Sequence, residues 1–362
     1  MVKVNMEEVV RRALEKASTL GLEVQRGGSF LLDESVVFKA LSDELRKYDI
    51  LYLDIREALD NYRDLVVEYS RKIGIKIPEK VSGGVLLYIP ENVKVRDPIF
   101  TCFAISKPGF TQKIANLYVV EDGGEAVAAK GCLAYVWEGA HVGLTGVYLG
   151  RRAKLVSVML HNWMPKVAVS SYTKVLALDN AELYEYYINL TSLYKIRYLV
   201  DILLKGEGAK ARSDMVIIGK GSSDMTYEVN AKLLGENSSA ELRSRILGRE
   251  NSRITSKASI TALASETRGH IECHGLLLSR DAKIATIPKL HSSIPETTLT
   301  HEASIGRVSK DALDYLVAKG FTEEEAVSII VRGFIELGLD RVPAKLRGLI
   351  VRTIDTIAKQ GM

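Results

Sequence analysis

Turns rich in glycine, serine and charged residues recur along the middle of the chain at a nearly constant spacing. They begin at Gly219, Gly235, Gly248, Ser265 and Ser279. Successive turns are about 13–17 residues apart, and the segments between them are short and rich in β-branched and aromatic residues. Two such units make about 30 residues, close to one coil of a parallel β-solenoid, whereas a sandwich usually turns about every 8–12 residues. The spacing therefore favours a solenoid.

An antiparallel sandwich is the alternative fold. It needs tight hairpin turns, but over roughly 200 residues only Asp122 and Gly123 have the sequence of one. A single segment, residues 193–204, interrupts the pattern and is compatible with a strand pair or with a short helix. We therefore assign residues 79–300 to a parallel β-solenoid and expect a mainly β protein.

Residues 1–78 are predicted to form an N-terminal helical region. Apolar residues recur there at helical spacing in three stripes, namely Val9, Val10, Ala13 and Leu14, then Val37, Leu41 and Leu45, then Ile55, Ala58, Leu59, Tyr62, Leu65, Val66 and Tyr69. Glycines separate the stripes, as expected for short helices joined by turns.

Residues 301–362 are predicted to form a C-terminal helical region. Ser309 is placed to cap a first helix that Gly320 ends, and Thr322 with Glu325 has capping-box spacing for a second. We expect the second helix to end at Gly338. A third is expected to begin at Pro343, because proline is favoured at the first helical position.

Composition excludes several classes of protein. The net charge of +4 and an aromatic content of 7% disfavour nucleic-acid binding. Three cysteines at irregular spacing do not form a disulfide framework or a four-cysteine metal site. No long apolar stretch predicts a membrane span, and charges occupy the position of a signal peptide's apolar segment, so a cytoplasmic location is expected. Phosphate-loop and hydrolase motifs are absent, so the chain itself is not expected to be an enzyme or to hydrolyse ATP.

Potential metal ligands concentrate late in the chain. Residues 269–274 and 300–304 together hold one of the three cysteines and three of the six histidines, each close to a carboxylate. On an extended strand, His270, Glu272 and His274 point one way and Cys273 points the other. His301 and Glu302 are expected beside a helix start. Thiolate, imidazole and carboxylate groups together are able to bind iron or zinc.

These segments resemble the SufB/SufD family of iron–sulfur cluster assembly proteins over about residues 80–340. The matching positions, in order, are Gly83, Gly84, Tyr88 and Pro90; Gly131, Cys132 and His141; Asn162, Trp163 and Pro165; Gly206, Gly208 and Ala209; and Cys273 with Leu276, Leu277 and Leu278. The block from 300 to 304, followed by residues 314–316 and 320–326, is the most specific match.

The resemblance implies a right-handed parallel β-helix that dimerises, with itself or with a SufB/SufD paralogue. It also implies a SufC-type ATPase bound to the C-terminal helices, where we predict that Ile329, Ile330 and Phe334 line the docking face. Carried over by position, the residues that hold a transient iron–sulfur cluster are Cys273, His301 and Glu302. We hypothesise that Cys273 of one chain meets His301 of the other.

The chain departs from the SufB pattern at two positions. Thr300 stands where SufB has a glutamate, and Leu178 stands where SufB has an internal cysteine that accepts sulfur. The sulfur donor is therefore left open. Two functions also stay open: a cluster-building scaffold, and a SufD-like structural partner that binds the ATPase and completes a dimer without holding a cluster. A polysaccharide-active β-helix is disfavoured because no group of aspartates follows one wall of the coils.

Overall fold

A computed structural model of the chain describes residues 11, 14–15, 17–18, 23–24, 27–40, 47–189, 191, 193–335, 347–348, 351–352 and 355. Strands dominate this part of the chain. They are β1 (Gly28–Leu32), β2 (Ser35–Ala40), β3 (Leu51–Asp54), β4 (Val85–Ile89), β5 (Ile99–Ile105), β6 (Thr111–Val120), β7 (Glu125–Ala134), β8 (Glu138–Leu149), β9 (Lys154–Asn162), β10 (Lys166–Ala177), β11 (Glu182–Asn189), β12 (Lys195–Leu204), β13 (Lys210–Gly219), β14 (Asp224–Leu233), β15 (Ser239–Gly248), β16 (Arg253–Ala262), β17 (Thr267–Leu277), β18 (Lys283–Ser292) and β19 (Thr297–Arg307). The helices are α1 (Ile55–Asn61), α2 (Arg63–Ile73), α3 (Lys310–Ala318) and α4 (Glu323–Phe334).

The strands from β4 onward alternate between two parallel sheets. The first sheet has the order β19-β17-β15-β13-β11-β9-β7-β5-β1-β2, and the second has the order β18-β16-β14-β12-β10-β8-β6-β4-β3. Several pairs of side chains that hydrogen-bond between neighbouring coils are 29 or 30 residues apart in sequence. The predicted parallel β-solenoid is confirmed, and it has about eight coils.

Two local predictions about the solenoid need correction. Residues 195–204 form the single strand β12, which pairs with β10 on one side and β14 on the other. Asp122 and Gly123 do not form a hairpin, because β6 and β7 lie in different sheets. The left-handed Gly123, with φ of 68°, instead turns the chain from one sheet to the other.

The main core fills the space between the two sheets. Alternate residues of each strand point inward, so every coil adds its own layer of apolar and aromatic side chains. Trp163, Tyr187 and Tyr227 are among the largest fully buried side chains of this interior. A second cluster, which we call the outer apolar cluster, covers the outer face of the first sheet and includes Phe30, Cys102 and Tyr186.

The N-terminal region mixes helices with strands. The stripe from Ile55 to Tyr69 is helical as predicted, but Tyr62 divides it into α1 and α2. Asp54 caps α1, and a left-handed Gly74 ends α2. The helix predicted around Val37 is wrong: β-branched residues place Val37 on β2, which pairs antiparallel with β1. Val9, Val10, Ala13, Leu41 and Leu45 lie outside the described residues.

The C-terminal helices begin where the sequence predicts. Ser309 accepts a hydrogen bond from the Ala312 amide at the start of α3, and Thr322 forms the predicted capping box with Glu325 at the start of α4. The expected helix end at Gly338 and the helix at Pro343 lie outside the described residues. In the part of the chain that is described, no helix combines the length and apolar character that a membrane crossing requires.

The division into regions 1–78, 79–300 and 301–362 stays a prediction, although four strands bear on it. β1, β2 and β3 lie inside the region predicted to be helical, and β19 continues through residue 300 to Arg307.

Candidate functional site

Cys273 lies on β17 and points into the solenoid. It is 1% exposed and belongs to the main core, as does Ile271 two residues earlier. In register it pairs with Ser244 on β15 and with Ala303 on β19. His270, Glu272 and His274 alternate with these residues and face outward, which confirms the predicted alternation of β17.

The Cys273 thiol is held in its protonated form. Burial raises its pKa above the ordinary value, and the Glu272 charge acts in the same direction, while a hydrogen bond with Ser244 and the charge of Arg245 oppose this. Cys273 is therefore not a ready thiolate nucleophile at neutral pH. A thiol of this kind is a strong ligand only after a soft metal ion displaces its proton.

His301 and Glu302 lie within a strand, which corrects the prediction that they stand beside a helix start. The pairing of β19 with β17 continues to Arg307, so the first C-terminal helix begins only at Lys310. His301 pairs in register with Ile271 and so shares the inner wall with Cys273, whereas Glu302 pairs with Glu272 on the outer face. The three residues predicted to hold a cluster therefore occupy two faces of the sheet.

Cys273 and His301 of one chain are near neighbours on the inner wall. They sit on adjacent strands and are offset by two residues, which places their Cα atoms roughly 8 Å apart from the usual strand spacing and rise. Cys273 is sealed, but His301 is exposed because β19 is the last strand of its sheet. The imidazole thus lies at the rim of the solenoid and the thiol lies one coil inside.

In the part of the chain that the structure describes, the last coil, formed by β18 and β19, is an open end of the solenoid. In both strands every residue is exposed or half-buried, and the apolar side chains Ile287 and Ile305 are 50% and 43% exposed. The opposite end differs, because the antiparallel strands β2 and β3 close the two sheets there. Unpaired parallel strands with exposed apolar residues are a ready surface for another chain.

A polar network covers the outer face behind Cys273. Glu272 accepts a 2.6 Å hydrogen bond from Arg245 and lies 3.0 Å from Nε2 of His274, whose Nδ1 lies 2.5 Å from the Ser304 hydroxyl. Burial tends to raise the pKa of Glu272, but its contacts with Arg245 and His274 outweigh this and lower it. Arg245 was not identified from the sequence. The one sequence feature that could have indicated its role is its position, one coil before His274.

This outer network is structural rather than a preformed metal centre. Across the described ranges, no group of three or more His, Cys, Asp and Glu side chains is arranged to hold a metal ion. The Thr300 hydroxyl lies 2.8 Å from Nδ1 of His270. Leu178 is half-buried against apolar residues on the outside of the second sheet.

The predicted docking residues of α4 differ in exposure. Ile329 is 41% exposed, Ile330 is half-buried, and Phe334 packs against the outer apolar cluster. Ala326 and Val331 are fully buried on the same helix. One side of α4 therefore packs inside the molecule. Of the three predicted docking residues, Ile329 is the most exposed to solvent.

The sequence matches one protein-family model and several curated proteins. A family model described as "SUF system FeS cluster assembly, SufBD core domain" matches residues 103–334. An iron–sulfur cluster assembly SufBD family protein of Methanothermobacter thermautotrophicus is 28% identical over 98% of this chain and 89% of its own length. Proteins of the same description are 29% identical in Archaeoglobus fulgidus, over 94% of both chains, and 26% identical in Staphylococcus aureus, over 91% of this chain and 74% of that protein.

The family model covers more than half of the chain, and the coils that it covers include Cys273 and His301. The chain therefore belongs to the SufBD family of iron–sulfur cluster assembly proteins.

Proposed function

We propose that this protein is a scaffold that builds or transfers iron–sulfur clusters together with a SufC-type ATPase. The cluster is the cargo, and it is held at the open end of the solenoid by Cys273 and His301. The observation that carries this proposal is that a thiol and an imidazole share the inner wall of the only unclosed end within the described coils. Thiolate and imidazole ligands suit iron–sulfur chemistry.

A second chain would cover the open end. The partner is another copy of this protein or a SufB/SufD paralogue, and it meets the last coil through the unpaired edges and exposed apolar residues of β18 and β19. In that dimer, Cys273 of one chain and His301 of the other share iron. Glu302 points outward, so it reaches the cluster only around the edge of the sheet or from the partner. A site with so few ligands releases its cargo readily, as a scaffold must.

We place this activity in the cytoplasm, because all three cysteines are free thiols, which reducing compartments preserve. The ATPase supplies nucleotide hydrolysis and binds the C-terminal helices, with Ile329 at the contact and Ile330 and Phe334 beneath it. The sulfur reaches the scaffold from a donor other than the SufB internal cysteine, since leucine stands at position 178.

Anaerobic reconstitution tests the cluster site. The purified protein is incubated with ferrous iron and sulfide, and its visible absorbance is compared with that of Cys273→Ala and Cys102→Ala. We expect cluster absorbance in the wild type and in Cys102→Ala, whose cysteine is equally buried but packs in the outer apolar cluster. Equal absorbance in Cys273→Ala would remove this cysteine from the site.

Copurification tests the ATPase contact. Deleting residues 309–362 should abolish binding of the ATPase, and Ile329→Ser should weaken binding without lowering the melting temperature, because this side chain is largely exposed. Phe334→Ala serves as the comparison, since it loses packing and should destabilise the helix. Undiminished copurification of the deletion variant contradicts the assignment of the docking surface.

The second candidate is a SufD-like partner that binds the ATPase and completes the dimer without holding a cluster. Thr300 and Leu178 favour it, because neither side chain supplies the function that SufB has at that position. The two candidates separate in the same reconstitution. A structural partner would bind the ATPase normally, but neither the wild type nor Cys273→Ala would gain cluster absorbance.

A further inference from the structure

A groove of about 580 Å³ crosses the outer face of the first sheet, where β11, β13, β15, β17 and β19 begin. Among its described lining residues are three basic side chains, Lys210, Arg212 and Arg268, but a single carboxylate, that of Glu241. Serine, threonine and tyrosine hydroxyls supply further polar groups. Cys273 points to the opposite side of the sheet, so the groove is separate from the proposed cluster site.

Strand register arranges the basic side chains around a short one. Parallel pairing places Lys210, Ser239 and Arg268 side by side on three neighbouring strands, all facing outward. Lys210 and Arg268 are two strand spacings apart, so their Cα atoms are separated by roughly 10 Å. Ser239 between them leaves a depression in the surface. Both basic side chains are long enough to reach one anion held above the serine.

The carboxylate next to Lys210 is already bonded to other groups. Glu182 is the register neighbour of Lys210 on β11. It accepts a 2.8 Å hydrogen bond from the Tyr184 hydroxyl and lies 3.2 Å from Nζ of Lys154. The negative charge of Glu182 is therefore shared with a lysine on the far side of the groove.

The carboxylate inside the groove is likewise engaged. Glu241 lies 3.8 Å from Nε of Arg212 and 3.5 Å from Nε of Arg243. Within the described part of the chain, no carboxylate forms an ion pair with Lys210 or Arg268. Two cations thus face the same depression without a matched negative charge, which favours the binding of an anion.

His270 adds a neutral donor beside the two cations. It lines the groove, and its Nδ1 lies 2.8 Å from the Thr300 hydroxyl. When that hydroxyl donates to Nδ1, the hydrogen of the neutral imidazole is on Nε2, which is then a donor for a ligand. The groove therefore combines two charged donors, an imidazole and the Ser239 hydroxyl.

We propose that this groove binds the phosphate group of a phosphorylated small molecule. Lys210 and Arg268 contact the phosphate oxygens from two sides, and Ser239 donates from below. Phosphate suits the arrangement better than a carboxylate, because it carries more charge and has more oxygens for separate donors. The groove is larger than a phosphate ion and falls within the range of about 300–1,000 Å³ that is usual for small-molecule sites. The organic part of the ligand would lie beside Tyr184.

Isothermal titration calorimetry of the full-length protein, in a phosphate-free buffer at constant ionic strength, tests the site with inorganic phosphate, AMP and adenosine. We expect AMP to bind and adenosine to give no heat. Lys210→Gln and Arg268→Gln should each weaken AMP binding on the order of tenfold. Both side chains are exposed, so neither variant should lower the melting temperature.

Lys195→Gln is the matched control, because Lys195 is an exposed lysine at the start of β12 on the other sheet. Its affinity for AMP should equal that of the wild type. Tighter binding of AMP than of inorganic phosphate identifies a phosphate ester as the ligand, whereas equal affinities identify free phosphate.

Three results would overturn the proposal. The wild type binds neither inorganic phosphate nor AMP, adenosine binds as tightly as AMP, or Arg268→Gln loses no more affinity than Lys195→Gln. The groove does not include Cys273 or His301, so Lys210→Gln and Arg268→Gln should still gain wild-type cluster absorbance. The phosphate site and the cluster site therefore succeed or fail separately.

Discussion

At the scale of single residues, the side chains of β17 alternate between the interior and the outer face of the solenoid, and the residues on the two faces differ in chemistry. Cys273 faces the sealed interior, while Glu272 and His274 on either side of it join a hydrogen-bonded network on the outer face. The network holds β15, β17 and β19 together where the solenoid ends, through Arg245, Glu272, His274 and Ser304. The outer residues therefore fix the strand that carries the thiol, and the inner residues include the proposed ligands Cys273 and His301.

The Glu272 network predicts a specific loss of stability in acid. The pKa of Glu272 is lowered from its ordinary value of 4.5, so its contacts stabilise the folded protein above that pH and are lost as the pH falls through the lowered pKa. Between about pH 6 and about pH 3, we expect the melting temperature of the wild type to fall more steeply than that of Glu272→Gln.

Glu302→Gln is the matched control, because Glu302 lies directly opposite Glu272 in register but is exposed. Its melting temperature should follow the wild type across this pH range. If Glu272→Gln has the same pH profile as the wild type, the network does not contribute as described.

At the scale of elements, the predictions succeed where a single local rule decides the structure. Ser309, Thr322 and Glu325 cap their helices as expected, because capping depends only on residues within one turn. Turn spacing also predicts the solenoid, since every coil must repeat the path of the one before it. Residues 193–204 and Val37 were misassigned because pairing with neighbouring strands, which sequence spacing does not contain, decides their structure.

The same limit applies to the candidate sites. The inward direction of Cys273 follows from strand alternation and is predictable, but the position of His301 on the neighbouring strand depends on register. Lys210, Ser239 and Arg268 lie on three strands that are each one coil apart. They line one groove only because the coils stack in register.

The capping box of α4 gives a prediction at this scale. Thr322→Ala removes the side-chain acceptor for the Glu325 amide, and we expect the helix to lose about 1 kcal/mol of stability. Amide hydrogen exchange should become faster in α4, while exchange in β15 and β17 stays unchanged. Ser309→Ala is the matched control, because it removes the equivalent cap of α3. Unchanged exchange in α4 would show that packing alone fixes the helix.

At the scale of the whole molecule, the two ends of the solenoid are different. Antiparallel strands close the N-terminal end, whereas the last coil presents unpaired strands and exposed apolar residues beside the C-terminal helices. Among the described residues nothing caps the last coil, so we expect another chain to bind there. The proposed metal ligands lie at that same end, so dimerisation and cluster binding are expected to depend on each other.

The most direct measurement is iron–sulfur reconstitution of a mixed dimer in which one chain carries Cys273→Ala and the other carries His301→Ala. The two chains bear different affinity tags, so that only mixed dimers are isolated. If the thiol of one chain and the imidazole of the other share iron, the mixed dimer keeps one intact site and gains about half of the wild-type cluster absorbance, while neither variant alone gains any. A mixed dimer without cluster absorbance would contradict a site shared between two chains.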